Sequence, residues 1–175
     1  YYKPAIAEAY KQLGHIYRTR GLKESAADYY RKAIGFIEEN NLSKFSLPIL
    51  YSELATVLID TGRYEEAAEE LEKGKARLTL PEYIWPLKLK QVILYSRTGR
   101  SAEARTLFDR IRQGHGGYLT TASLTEAQLA IGLAEHEFGK ALATLDKLIG
   151  LFKETGHSET YFYKLFQTRA EAYAE

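Results

Sequence analysis

The chain is predicted to be all-α, a solenoid of antiparallel helix pairs with about nine helices. Two observations carry this. Small residues recur at Ala26, Ala67, Ala104 and Ala141, separated by 41, 37 and 37 residues, and each opens an Ala-x-x-x-aromatic/Leu pattern. A glycine stands shortly before three of them, at Gly21, Gly62 and Gly99. Self-similarity at a fixed period of this size marks stacked repeats that share a continuous core. The small residue lets the two helices of a pair approach closely, and Tyr10, Tyr17, Tyr51 and Tyr95 fill the space between pairs. Glycine reaches the left-handed conformation of a helix C-cap without penalty, so the three glycines are turn residues.

The elements follow in order. Pro4 suits the first turn of an opening helix that runs to Arg20, because its missing N–H costs nothing there. Lys23 to Asn40 is the second helix, closed by Asn40-Asn41. Ser46 or Pro48 opens a third to Asp60, and Arg63 to Leu78 answers it. Thr79 to Pro81 breaks the chain. Helices over 82–97 and 101–112 lead to the loop Gly114-His115-Gly116-Gly117. Ser123-x-x-Glu126 reads as a capping box for the next helix, which ends near His136, the residue in the place of the turn glycine. Its partner runs from Phe138 to Glu154. Gly156 stops it, and Ser158 caps a last helix over 158–174.

The first unit carries Tyr10, Leu13, Gly14, Tyr17, Ala26 and Tyr30, and the second Tyr51, Leu54, Ala55 and Ala67. These resemble the tetratricopeptide repeat pattern W-x2-L-G-x2-Y followed by A-x3-F. Tyr10 replaces the tryptophan, Leu58 and Leu71 replace aromatics, and the third and fourth units are degenerate, with Lys88 and Thr125 in the leading place. The resemblance implies a right-handed superhelix and a long-repeat variety of 37 to 41 residues, like those of bacterial regulators and scaffold proteins. It implies a single array over 1–175, with repeats at 5–43, 46–80, 82–115 and 122–156 and the first helix of a fifth. With no methionine, even at position 1, the expectation is a segment of a longer regulatory protein.

Composition narrows the functions. Lys plus Arg is 24 against 23 for Asp plus Glu, a net charge of +1, which lacks the basic footprint of a nucleic-acid binder. No apolar run approaches the ~20 residues needed to span a bilayer. There is no cysteine, so disulfides and thiolate chemistry are excluded. The compartment is open on cysteine usage, and a cytoplasmic one is expected.

No catalytic, cofactor or metal constellation emerges. Gly114-His115-Gly116-Gly117 lacks the Gly-Lys-Ser/Thr ending of a phosphate cradle. His136-Glu137 lacks the second histidine of a zinc protease, since position 140 is Lys, and His15, His115, His136 and His157 show no ligand spacing. The run Glu65 to Glu72 with Lys73, Lys75 and Arg77 reads as a solvated helix, with pairs such as Glu69 and Lys73 on one face. Arg97, Arg100, Arg105, Arg110 and Arg112 are interrupted by Glu103 and Asp109. The tyrosines read as packing residues.

In tetratricopeptide arrays the first helices of successive pairs line a concave groove, and the resemblance projects a set of groove residues here. They are Lys11, His15 and Arg18; Ile49, Ser52, Thr56 and Ile59; Leu89, Lys90, Ile93 and Arg97; and Glu126, Ala130 and Leu133. Members that clamp a C-terminal carboxylate use a Lys, Asn, Asn, Lys, Arg set. Lys11 and Lys90 match it, but His15 and Glu53 stand where Asn is needed and Pro86 where the second Lys is, so that specificity is rejected. The expected function is a protein-interaction scaffold holding a partner peptide or helix in this groove. Its apolar centre would be destroyed by Asp at Leu89 and Ile93. The alternatives are self-assembly into a homo-oligomer through open terminal repeats and a ligand- or peptide-sensing domain of a regulator.

Overall fold

The computed structural model describes residues 2–78, 84–114 and 120–155. All regular structure among them is helical: α1 (Lys3–Thr19), α2 (Lys23–Glu39), α3 (Leu47–Asp60), α4 (Tyr64–Ala76), α5 (Ile84–Arg97), α6 (Ser101–Gly114), α7 (Thr121–Ala134) and α8 (Phe138–Thr155), with a 3-10 turn at Lys44–Ser46. The expected helix over 158–174, the break 79–81 and the loop residues 115–117 lie outside the described residues. The chain forms two compact units, 1–90 and 91–175, whose boundary falls inside α5. In the first unit α1 packs on α2, α2 on α3 and α3 on α4; in the second α6 packs on α7 and α7 on α8.

The turns explain the helix ends. Gly21, Gly62 and Gly99 have φ of +77°, +74° and +75°. At the first, the N–H of Gly21 donates to the carbonyl of Arg18 (3.0 Å) and that of Leu22 to Tyr17 (2.9 Å), while Gly62 and Arg63 repeat the pair onto Ile59 (3.1 Å) and Leu58 (2.9 Å). This is the Schellman arrangement, which satisfies orphan carbonyls only if one residue turns left-handed. Two residues other than glycine are forced into the same role, Asn41 at φ +48° and His136 at φ +55°. Glu137 N–H reaches Gly132 O at 2.9 Å just as Leu22 reaches Tyr17, so His136 does occupy the turn glycine's place.

Close approach within a pair rests on the small residues. Ala26, Ala67, Ala104 and Ala141 are buried, as are Tyr30, Leu47, Leu54, Leu58 and Leu71. Gly14 of α1 lies against the face of Tyr30 of α2, where an added Cβ would meet ring carbons at 2.6 to 3.0 Å. In the second unit Leu129, Ala141, Leu145, Leu148 and Ile149 form one cluster, with Leu133 packed against it.

Two local expectations are corrected. The N-cap of α7 is Thr120, not Ser123: Thr120 has the extended backbone a cap requires, and its Oγ1 accepts from Ser123 N–H at 3.1 Å. Ser123 sits inside the first turn and bonds the Thr120 hydroxyl at 2.8 Å. On α4 the lysines pair three residues back, Lys73 with Glu70 (2.8 Å) and Lys75 with Glu72 (2.7 Å), rather than Lys73 with Glu69. Both spacings lie on one helix face.

Candidate functional site

The polar residues expected on α1 meet α2 and α3 in the first unit. Arg18 of α1 forms an ion pair with Glu53 of α3 at 3.6 Å, both half-buried. His15 Nδ1 shares a hydrogen bond of 3.2 Å with the hydroxyl of the buried Tyr30, and the rings meet edge-on at 5.6 Å. One turn earlier Lys11 pairs with Glu8 at 2.8 Å. Burial pushes the His15 pKa down; Glu53 opposes that, while Arg18 and Lys11 reinforce it. Burial, seconded by the charge of Glu53, raises the Tyr30 hydroxyl well above the usual tyrosine range. The His15–Tyr30 contact lies between the Lys11–Glu8 and Arg18–Glu53 ion pairs along α1.

Beside this row opens a cleft of about 270 Å³ between the start of α1 and the start of α3. Pro4, Ala7 and Lys11 form one wall, Ile37 and Leu42 another, and Phe45 and Leu50 close it. Phe45 is 55% exposed and Ile49, next to Leu50, 44%. Of the cleft's lining only Lys11 belongs to the predicted groove set. The available signal for the rest was an aromatic residue, Phe45, in the connecting segment just ahead of Pro48.

The other predicted groove residues scatter. In the first unit Ser52, Ile59 and Leu89 are buried, Thr56 is half-buried with its hydroxyl bonded to the Ser52 carbonyl at 2.9 Å, and Lys90 is half-buried. Asp at Leu89 would therefore disrupt packing rather than report on capture. In the second unit Ile93, Glu126 and Ala130 are half-buried and Arg97 is exposed. Leu133 belongs to the core cluster of α7 and α8.

Several charges of the remaining runs are paired locally. Glu66 pairs with Arg63 (2.7 Å) and Arg31 (3.3 Å), Arg100 with Glu103 (2.6 Å), and Arg105 with Glu135 and with Glu137. Tyr10, Tyr29 and Tyr17 form an aromatic line across α1 and α2, with Tyr17 stacked on Tyr29 at 5.1 Å. Among the described residues no group of three or more His, Asp or Glu could hold a metal ion, and no helix is long and apolar enough to cross a membrane.

Helical hairpins closed by recurrent left-handed turns, with small residues buried at the seam of each pair, define an all-α repeat protein. Models of the tetratricopeptide repeat match residues 7–40, and again 48–73 and 89–110. The chain carries tetratricopeptide repeats. No curated protein matches it. Such repeats are typically non-enzymatic modules that mediate protein–protein contacts and scaffolding.

Proposed function

We propose that the chain, as one array of repeats, is a scaffold that holds an amphipathic helix or extended peptide of a partner protein, anchored in the cleft between α1 and α3. The supporting observation is the pairing of that cleft with the exposed Phe45 that lines it and with the exposed Ile49, the neighbour in sequence of the lining Leu50. Exposed large apolar side chains beside an apolar concavity are what a peptide anchor needs. A cleft of about 270 Å³ takes one large side chain. The row Lys11, Glu8, Arg18 and Glu53 balances its charges, so it favours polar neighbours of either sign on the partner and sets orientation rather than affinity.

The test is selection of displayed peptides on the immobilised full chain, followed by anisotropy titration of the winners. The expected winners carry apolar residues at helical or alternating spacing and bind with Kd below about 0.1 mM. Phe45→Glu with Ile49→Glu should weaken them at least tenfold while leaving the helical circular dichroism unchanged. Failure to enrich any peptide, or equal binding to the double variant, refutes the reading.

A further inference from the structure

The polar cluster where α1, α2 and α3 meet has no counterpart in the next hairpin. The two hairpins are copies offset by 41 residues, with Gly21 answering to Gly62 at the same left-handed turn. At that offset Lys11, His15, Arg18 and Tyr30 become Ser52, Thr56, Ile59 and Leu71. Thr56 donates its hydroxyl to the Ser52 carbonyl of its own helix at 2.9 Å, and Ile59 and Leu71 are buried. A hairpin of this kind therefore closes without a titratable group at the place of His15.

In the first hairpin that place is crowded with charge. From α1, Lys11 and Arg18 flank His15 one turn to either side on the same helix face. From α2, the wholly buried Tyr30 presents its hydroxyl 3.2 Å from His15 Nδ1, and the same hydroxyl is hydrogen-bonded with Arg18 and Glu53. From α3, Glu53 faces Arg18 at 3.6 Å. Both acids of the row are already engaged, because Glu8 meets Lys11 at 2.8 Å and Gln12 at 2.7 Å while Glu53 meets Arg18 and Tyr30. A proton on the half-buried His15 ring thus makes a third cation in a row that holds two acids. Tyr30 cannot make room, since its ring is seated on Gly14.

We propose that His15 is a proton-operated catch on α1: unprotonated, it lets α1 close on α2 and α3, and uptake of one proton favours a state in which α1 has opened and the ring lies in water. Such an opening is local, because proteins open in units smaller than the whole fold. Lys11, one turn before His15, walls the cleft between α1 and α3, so the same opening removes that wall whatever the cleft holds. The electrostatics agree in sign. Burial lowers the His15 pKa from its ordinary 6.5, Glu53 and Glu8 oppose this, and Arg18 and Lys11 add to it. The opened chain therefore takes up the proton at a higher pH than the closed one. Closure is fully supported above 6.5 and loses support as pH falls through 6.5 toward the lowered folded value.

NMR titration of the His15 ring, in the folded full chain and in urea, reads the two proton affinities directly. The folded value is expected below the unfolded one, and Glu53→Gln should push it lower still, a shift that a merely structural histidine gives no reason for. Amide hydrogen exchange, corrected for the intrinsic rate, is compared at about pH 7.5 and about pH 5.5. On acidification α1 should lose protection about threefold or more while α4 and α7 keep theirs. His15→Gln, which retains a polar group for Tyr30, should abolish the loss in α1. Should that variant fail to fold, the titration and exchange of the parent chain still decide. A folded His15 value at or above the unfolded one, equal acid loss in His15→Gln, or a loss spread evenly over all the helices overturns the proposal.

Discussion

Replacing Gly14 by Ala sets helix propensity against packing, and the structure decides the sign. Alanine in a helix interior gains about 1 kcal/mol over glycine. At Gly14 the new Cβ would lie 2.6 Å from the Tyr30 ring, about 0.8 Å short of the 3.4 Å at which ordinary contact begins. The ring cannot retreat freely, because Tyr30 is wholly buried and its hydroxyl is held by His15. Overpacking of this kind costs about 2 kcal/mol, and straining the His15 bond adds about 0.5 to 1 kcal/mol. The net loss is about 1.5 to 2 kcal/mol, or a fall in Tm of about 3 to 8 °C for a chain of this size. Gly35, inside α2, is the internal control, since nothing lies within 4 Å of an added Cβ there. Gly35→Ala should raise Tm by about 2 to 3 °C. Thermal unfolding followed by circular dichroism measures both. If Gly14→Ala melts at or above the parent while Gly35→Ala melts higher, the Tyr30 ring is not seated on Gly14 and the account of the first hairpin's seam is wrong.

Other outcomes follow from single sites. His136→Gly relieves a left-handed β-carbon at φ +55° and should stabilise the chain by about 0.5 to 1 kcal/mol, read as a raised urea midpoint at unchanged m-value. Thr120→Ala removes the cap of α7 and should cost about 1 kcal/mol, whereas Ser123→Ala should cost less because Ser123 is not the cap. Burial, helped by Glu38, pushes the Tyr51 hydroxyl up to about 12 from 10.0, so the folded state keeps a proton that the unfolded chain releases. Its stabilising contribution is complete below the unfolded value near 10 and is lost as pH climbs toward 12. Urea midpoints should therefore fall over that interval, and less steeply in Tyr51→Phe; equal slopes in the two proteins would refute the assignment.

Much of the fold was legible because repetition makes local signals redundant. Alanine at a fixed period and glycine before it reported the seam and the turn, and the structure places Ala26, Ala67 and Ala104 in the core and Gly21, Gly62 and Gly99 at positive φ. Thr120 was missed because Ser123-x-x-Glu126 satisfies the same pattern one turn later, and only the extended backbone at 120 separates them. The candidate surface was less legible. Lys11, His15 and Arg18 line up along α1, but nothing local indicates that Arg18 would meet Glu53 or that Tyr30 would hold His15. Ser52, Ile59 and Leu89 share the spacing of exposed groove residues and are buried nonetheless.

By itself, then, the sequence determined the described helices and the kind of repeat they form, because periodicity, turn chemistry and residue volume act between near neighbours in the chain. Only the tertiary structure decided which face of each helix is covered. Ile16 and Val57 hold the same place in the same pattern, yet one is 45% exposed and the other 1%. Burial depends on whether a second helix lies across the stripe, and that is a property of the neighbouring hairpin rather than of the residues it covers.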